Sequence, residues 1–372
     1  MKRLVLILVL VLVVTSQAVW AQSRSSVNVV QRGGAPNLIS LLVGLVPAEP
    51  LELTGAVDSN SPAVWDLVSG QPTMVVLTSF AGRTSRALGN LEALTSPMPV
   101  RLRPWPGGGV WFEAIVAAPD GTWYGYYHNE RVATMCGDST TKVVPRIGAA
   151  RSKDRGATWL DLGVILEAPD STLVCNTNNH YFAGGVGDLS VALDRDGQFL
   201  YLFFSQYGRE AADQGVAIAR MVWANRDKPS GKLDVWSNGV WLPLHGSKVT
   251  DATPIFPTTR LWHDGDNQVD AYWGPTVHWN EYLERYVMLL NRSSDENFDQ
   301  EGIYVSMSAS LDEPSWSAPT KIMDGGQWYP QVIGMEEGAG TDKFAGQEAR
   351  FFMSGRSTYI IRFNRLDGPS TR

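Results

Sequence analysis

Short apolar runs separated by polar turns recur along the whole chain, whereas long helical periodicity is nearly absent. Each of five paired runs has a first strand, a polar turn and a strongly apolar second strand that ends in small or polar residues. These pairs occupy residues 61–80, 112–130, 187–208, 274–293 and 329–355. The repeat predicts an all-β fold, a five-bladed β-propeller with four antiparallel strands per blade.

Outer strand pairs follow the inner pairs in the same order, at residues 147–166, 215–236 and 302–322. For blade one we assign residues 85–94 and 99–105 to the outer strands. A β-sandwich stays open as an alternative, because it is also built from short strands at such spacing. The propeller is favoured because the units resemble one another in order, which a sandwich does not require.

The N-terminal end has the composition of a secretory signal peptide. Lys2 and Arg3 precede an apolar run from Leu4 to Val14, and Ala21 ends a plausible cleavage site. We predict a signal peptide over residues 1–21, an N-terminal segment over 22–50, the propeller over 51–365 and a C-terminal tail over 366–372. The protein is therefore expected to be secreted, either periplasmic or extracellular, with a retained N-terminal anchor as the alternative.

Charge and apolar length exclude several classes of partner. The 372 residues carry a formal net charge of −7, which argues against nucleic acid or an anionic membrane surface as the main partner. No segment after the first reaches the roughly 20 apolar residues that a membrane span needs, so we expect no stable membrane insertion. We expect a monomer.

Cys136 and Cys175 are the only cysteines of the chain. An exported protein meets an oxidising environment, so we predict that they form a disulfide bond, with two free buried thiols as the alternative. No Cys or His spacing is typical of a zinc site, and we predict no metal ligands.

One turn carries a recognisable motif of the form S-x-D-x-G-x-T-W. It is the Asp-box of sialidases and other propellers, and here it consists of Ser152, Asp154, Gly156, Thr158 and Trp159. Its aspartate can accept turn N–H groups and its tryptophan can pack between blades, so we assign the motif a structural role. A single box without a recognisable arginine triad disfavours a sialidase.

Polar residues gather where inner strands begin and their neighbours end, which in a propeller is one common mouth. Asp58, Glu113 and Asp188 come from three consecutive blades. Crowded carboxylates separate their pKa values, which is the condition for one to act as an acid and another as a base in glycoside hydrolysis. For sugar binding at the same mouth we predict His128, Glu130, Gln206, Tyr207, Trp273, Arg292, Trp328 and Tyr329.

Acids at the starts of innermost strands in the first three of five blades resemble the furanosidase-type glycoside hydrolases, such as arabinanases, β-xylosidases, invertases and levansucrases. The resemblance implies that Asp58 is the base or nucleophile, Glu113 the supporting acid and Asp188 the proton donor. Glu and Asp are exchanged between blades two and three relative to the family pattern, so Glu113 is the other candidate for the proton donor.

The resemblance also implies a partner and a cofactor requirement. The expected partner is an oligo- or polysaccharide of plant or microbial origin, and no cofactor is required, although a Ca²⁺ ion in the central channel is left open. A glycan-binding propeller without catalysis and an interaction scaffold are the alternative functions.

Overall fold

The computed structural model describes residues 41–137, 140–263 and 269–365. Its strands form five separate sheets that follow one another along the chain, which confirms the predicted five-bladed β-propeller. None of the helices in this described part is long and apolar enough to cross a membrane. The predicted signal peptide, most of the N-terminal segment before β1 and the C-terminal tail lie outside the described residues.

The strands are numbered in chain order. The first is β1, Leu41–Glu52. Blade one contains β2 Ala63–Val68, β3 Gln71–Phe80, β4 Arg83–Asn90, β5 Ala93–Leu94 and β6 Met98–Pro99. Blade two contains β7 Arg101–Arg103, β8 Gly109–Ala117, β9 Trp123–Val132, β10 Val143–Ser152 and β11 Thr158–Glu167. Blade three contains β12 Val186–Leu193, β13 Phe199–Tyr207, β14 Gln214–Val222, β15 Leu233–Ser237, β16 Val240–Pro243 and β17 Phe256–Pro257.

The last two blades interleave along the chain. The strands that follow are β18 Tyr272–Asn280, β19 Arg285–Ser293, β20 Gln300–Ser308, β21 Thr320–Asp324, β22 Gln331–Gly334, β23 Phe344–Ala345, β24 Glu348–Met353 and β25 Arg356–Arg365. Blade four is ordered β21-β20-β19-β18-β23 from outside to inside, and blade five is ordered β1-β25-β24-β22. Short 3₁₀ turns lie at Thr134–Cys136, Asp170–Thr172, Ala211–Asp213 and Trp223–Asn225.

The first described strand closes the ring. β1 pairs antiparallel with β25 from Leu41↔Arg365 to Glu52↔Arg356 and so forms the outermost strand of blade five. This strand begins before residue 51, where the sequence places the start of the propeller. Joining the two ends of the described chain in one sheet fastens the last blade to the segment that leads into the first.

Two short strands join a blade in parallel rather than antiparallel orientation. β7 pairs with β11 of blade two and β23 pairs with β18 of blade four. The sequence analysis gave residues 99–105 to blade one, but Arg101–Arg103 belongs to the outer edge of blade two. The reason is that Met98–Pro99 already pairs with β4, after which the chain crosses to the neighbouring blade.

The apolar second strands form the interior of each blade. In β3 the side chains of Val75, Val76 and Leu77 are completely buried, as are Phe203 and Phe204 in β13. Each fully buried side chain of this size contributes about 1.5–3 kcal/mol of transfer free energy. Alternate residues of one strand face the two neighbouring blades, so Phe204 packs towards blade two while Phe203 packs towards blade four.

The predicted disulfide between Cys136 and Cys175 is present, with a sequence separation of 39 residues. It joins the 3₁₀ turn after β9 to the loop that leads into β12. Both segments lie at the mouth end of blades two and three, so the bond ties together the chain on either side of the pocket described below.

Reduction of this disulfide is expected to lower the free energy of unfolding by about 4 kcal/mol, because the bond restricts the unfolded chain over a loop of this length. Urea unfolding with and without dithiothreitol measures the effect. The double variant Cys136→Ser/Cys175→Ser should show the lower stability and no response to the reductant. A native protein whose unfolding curve does not move on reduction would contradict the expectation.

Candidate active site

Two of the three predicted acids occupy β-bulges at the mouth. In blade two the pairing of β8 with β9 shifts between Phe112 and Ala114, so Glu113 is the extra residue. In blade three the pairing of β12 with β13 shifts between Gly187 and Leu189, so Asp188 is the extra residue, with φ +39°. A bulge re-aims the side chain of the extra residue, and aspartate tolerates this left-handed conformation better than most residues.

The third acid, Asp58, lies in the turn before β2 and is held by two donors. The indole N–H of Trp111 donates to Oδ1 at 2.6 Å, and the backbone N–H of Ala81 donates to Oδ2 at 2.9 Å. Two residues further on, the buried amide of Asn60 donates to the carbonyls of Leu189 and Pro275 at 2.9 and 3.2 Å. The turn that carries Asp58 is thereby fixed against blades three and four.

The three acids line a single pocket of about 210 Å³ at the mouth of the propeller. Its polar side chains are Asp58, Glu113, His128, Glu130 and Asp188. Its aromatic side chains are Trp111, Tyr181, Phe182, Trp273, Phe298, Trp328 and Tyr329. A mostly aromatic cavity with a few convergent polar groups is the usual form of a small-molecule site.

Glu113 and Asp188 lie at the floor of the pocket and differ in their hydrogen bonds. Glu113 is 1% exposed, and its Oε2 accepts the backbone N–H of Leu189 at 2.5 Å. Asp188 accepts hydroxyl hydrogens on both oxygens, from Tyr207 at Oδ2 and from Tyr329 at Oδ1. Hydrogen bonds to the charged form favour ionisation, so Asp188 is better stabilised as a carboxylate than Glu113.

Burial is the main cause of the raised pKa values in this pocket. It raises the pKa of Glu113 well above the usual value, and the charge of Asp188 raises it further. Burial also raises the pKa of Asp188, although the charge of His128 and the hydroxyl of Tyr207 act in the opposite direction. The pKa of Asp58 is raised by burial as well, opposed by its two hydrogen-bond donors.

His128 lies between the backbone of Asp188 and the side chain of Glu130. The backbone N–H of Asp188 donates to Nδ1 at 3.0 Å, and Nε2 lies 3.2 Å from Oε1 of Glu130. Burial lowers the pKa of His128, but Glu130, Asp188 and Glu113 outweigh it and raise the pKa to about 9. In this conformation Nδ1 accepts the amide hydrogen, which requires the neutral tautomer that donates from Nε2 to Glu130. The raised pKa favours protonation, and a protonated Nδ1 would face Oδ1 of Asp188, 3.7 Å away, in place of the amide.

Glu113, His128 and Asp188 are close enough to raise the question of a metal. One ligand atom from each lies within 4.8 Å of the other two. However, Nδ1 of His128 already accepts a backbone hydrogen, and Ca²⁺ takes six to eight oxygen ligands, which this set does not supply. Glu113, His128 and Asp188 therefore do not fit a Ca²⁺ site.

The structure brings most, but not all, of the predicted sugar-binding residues to the pocket. His128, Glu130, Trp273, Trp328 and Tyr329 line it, whereas Tyr207 lies behind Asp188 and contacts it through the hydroxyl.

Two predicted residues face elsewhere. Gln206 points into blade three, where its amide donates to the carbonyls of Asp213 and Ala252. Arg292 forms an ion pair with Glu301 at 3.4 Å on the outer side of β19. Both side chains thus make their contacts within their own blades and not at the mouth.

Four aromatic residues of the pocket are absent from the sequence prediction: Trp111, Tyr181, Phe182 and Phe298. Trp111 sits two residues before Glu113 on the same strand, so the period of two would have placed it on the same side. Tyr181, Phe182 and Phe298 lie in loops, where no periodicity reports the direction of a side chain. The only sequence signal that these three residues line a pocket is their position among polar residues.

The residues of the predicted Asp-box form a hydrogen-bonded turn on the outer hairpin of blade two. Asp154 accepts the backbone N–H of Thr158 at 2.8 Å, and Ser152 accepts that of Gly156 at 2.9 Å. The indole of Trp159 donates to the carbonyl of Gly156 at 3.0 Å. None of these residues lines the pocket.

No protein family model matches this sequence, and no curated protein matches it either. Solved structures do match in chain path. An endo-arabinase from Bacteroides thetaiotaomicron is 11% identical, with a TM-score of 0.46 and coverage of 85% of this chain and 98% of that one. An α-L-arabinanase from Cellvibrio cellulosa is 11% identical, with a TM-score of 0.43 and coverage of 83% and 92%. A GH43_1 enzyme from Xanthomonas citri is 14% identical, with a TM-score of 0.43 and coverage of 88% and 91%. Similarity at this level assigns neither a family nor an activity to this chain.

Tyr207→Phe is expected to shift the pH–rate profile of the activity proposed below. The variant removes the hydroxyl that favours the ionised form of Asp188, so the pKa of Asp188 rises and the acid limb of the profile moves to higher pH. A hydrogen bond to a charged group contributes about 1.5–3 kcal/mol, so we expect kcat near neutral pH to fall by roughly a factor of 10. The ring contacts with Phe182 and Trp262 are kept.

Tyr201→Phe is the matched control on the same strand, because its hydroxyl faces Asp312 between blades three and four. Its profile should coincide with that of the native protein. An unchanged acid limb in Tyr207→Phe would show that Tyr207 has only a packing role.

Proposed function

We propose that this protein is a glycoside hydrolase that cleaves glycosidic bonds with the carboxyl groups of its central pocket. The observation that carries the proposal is the convergence of Asp58, Glu113 and Asp188, from three consecutive blades, on one aromatic pocket. Their unequal hydrogen bonds support a division into proton donor and base, which glycoside hydrolysis requires.

Glu113 is proposed as the proton donor and Asp188 as the acid that raises its pKa. Asp188 receives two hydroxyl hydrogens, whereas Glu113 receives one amide hydrogen on Oε2 and keeps Oε1 for a proton. Two buried carboxyl groups this close do not both ionise at neutral pH, and the better-stabilised one loses its proton first. This assignment favours the second of the two alternatives that the sequence left open.

Asp58 is proposed as the base or nucleophile. Both of its oxygens accept hydrogen bonds, which supports the carboxylate form at neutral pH. In the reaction, Glu113 gives its proton to the glycosidic oxygen as the bond to the anomeric carbon breaks. Asp58 either takes a proton from the water that attacks this carbon, or attacks it directly to form a glycosyl-enzyme, which water then hydrolyses after giving a proton to Glu113. The anomeric configuration of the first product, followed by NMR, distinguishes these two routes.

The lining of the pocket supports a substrate without negative charge. It holds four carboxyl groups and a histidine, and neither lysine nor arginine is among the described residues that line it. A uronic acid, a sialic acid or a sulfated sugar would meet repulsion without a compensating cation. Aromatic faces instead suit the C–H surfaces of a neutral sugar, and the proposed source is a plant or microbial glycan outside the cell.

The test is a screen of 4-nitrophenyl arabinofuranosides, xylosides, galactosides and fructan oligomers, with Asp58→Asn as the control protein. We expect the native protein to release nitrophenol or reducing sugar from at least one class, and the variant to lose this activity. Binding of a glycan without turnover by the native protein would refute hydrolysis and support the non-catalytic glycan-binding alternative.

A further inference from the structure

The pocket has a continuous aromatic wall on the side of blades three, four and five. Phe298 is its centre, with ring centroids 5.5 Å from Tyr181, 5.0 Å from Trp273 and 6.4 Å from Trp328. The indole of Trp328 also donates to the carbonyl of Phe298 at 2.8 Å. Phe182 extends the wall to His128, at 6.4 Å between ring centroids.

This wall is held in place by the loop that carries Phe298. The side chain of Asp295 accepts the backbone N–H groups of Asn297 and Asp299, at 2.9 and 3.0 Å. Asn179, in the loop before blade three, donates to the carbonyl of Glu296 at 3.0 Å. Phe298 itself has φ +66°, a conformation that a bulky residue adopts only when its surroundings impose it.

On the side of blades one and two, the aromatic residue of the pocket is Trp111. The Trp111 ring lies against Gly82 and Gly109, since a Cβ on Gly109 would come within 2.4 Å of it. Phe80 lies two residues before Gly82 in the chain and its side chain is 53% exposed, and the side chain of Trp105 is 46% exposed. Phe80 directly precedes the residue whose backbone N–H holds Asp58.

The Trp105 ring packs against the side chain of Arg83. The guanidinium of Arg83 lies 5.7 Å from the centre of the Trp105 ring, and Arg83 directly follows Gly82. Exposed aromatic rings beside a pocket that already uses aromatic contacts provide surfaces for further sugar units.

We infer that the site is exo-acting: it takes one terminal sugar unit, and the rest of the glycan leaves across the rim formed by Trp105 and Phe80. This inference rests on the proposed glycoside hydrolase function. An endo-acting site needs sugar units on both sides of its acids, and the buried rings of the wall, Phe182, Trp273 and Phe298, occupy one of these sides. The nearly complete burial of Glu113 and Asp188 closes the floor.

The first experiment uses hexaoses of arabinose, xylose and galactose labelled with 2-aminobenzamide at the reducing end. With the native protein we expect the labelled chain to shorten one unit at a time, with a pentaose as the first labelled product. Labelled di- or trisaccharides as first products would overturn the exo inference while leaving the proposed hydrolase intact. If neither these chains nor the 4-nitrophenyl glycosides and fructan oligomers of the screen are cleaved, both the inference and the proposed function fail.

The second experiment tests the rim with Trp105→Ala. We expect KM for the hexaose to rise about ten-fold, which corresponds to about 1.4 kcal/mol, while KM and kcat for the 4-nitrophenyl glycoside stay within about two-fold. Phe344→Ala is the matched control, because Phe344 is 50% exposed at the opposite end of blade four. Equal effects of Trp105→Ala on both substrates, or none on the hexaose, would overturn the assigned path.

Discussion

Asp58→Asn is expected to lower kcat by a factor of about 10³, since a positioned base contributes roughly 10²–10⁴ to the rate of such a reaction. The amide has the size of the carboxylate, so the pocket keeps its shape. However, the amide NH₂ of asparagine cannot accept the N–H of either Trp111 or Ala81, so one of the two contacts is lost. We therefore expect a small loss of stability together with retained sugar binding. Initial rates and calorimetric titration with the product sugar measure the two effects separately.

Asp66→Asn provides the matched control for this variant. Asp66 belongs to β2 of the same blade and pairs with Arg155, away from the pocket. Its kcat should equal that of the native protein. If Asp58→Asn retains more than about a tenth of the native kcat, Asp58 is not the base or nucleophile.

Glu113→Gln is expected to produce a loss that depends on the leaving group. For an oligosaccharide, whose leaving oxygen needs a proton, kcat should fall by about 10³. For a 2,4-dinitrophenyl glycoside, whose leaving group departs without a proton, kcat should fall less than about ten-fold. The alkaline limb of the pH–rate profile should also disappear, because it reports loss of the proton from Glu113.

Asp188→Asn distinguishes the donor from its supporting acid. If Asp188 only supports Glu113, its variant should keep the alkaline limb of the pH–rate profile but move it to lower pH, because the pKa of Glu113 then falls. If instead Asp188→Asn abolishes that limb and Glu113→Gln only moves it, the two roles are reversed.

Glu113→Gln should also be more stable than the native protein at neutral and alkaline pH. Burial and Asp188 raise the pKa of Glu113 in the folded state, so its contribution to stability is complete at acid pH, below the unfolded value. As the pH rises through the folded pKa, the folded protein must ionise a buried group and loses this stability. Glutamine does not ionise, so Glu113→Gln does not lose this stability as the pH rises. Urea unfolding at several pH values checks this, and a variant that is less stable than the native protein at alkaline pH would contradict it.

The inner hairpins of the fold were predictable because each repeats a strand, a turn and an apolar strand with clear boundaries. The strands at the outer edges of the blades were harder to predict. β7 joins a blade by parallel pairing with a strand more than 50 positions later, and β1 pairs with the last strand of the chain. Such long-range pairs leave no local pattern in the sequence, since each short segment alone reads as an ordinary strand or loop.

The acids of the pocket were predictable for a similar reason, because the starts of inner strands in a propeller share one end. The errors concern the direction of side chains. Arg292 is next to Asn291 at the end of β19, and its guanidinium pairs with Glu301 of the neighbouring strand β20 instead of entering the pocket. Phe298 was not predicted because its direction depends on a loop with a left-handed residue, which hydrophobic periodicity does not describe.

The pairing of β1 with β25 also fixes where the chain can be attached to something else. Leu41 and Arg365 are partners at the end of blade five that is remote from Trp328 and Tyr329, whereas Glu52 and Arg356 are partners at the near end. A tether joined to the chain at the remote end of this strand pair would thus leave the pocket facing away from the point of attachment, open to large substrates.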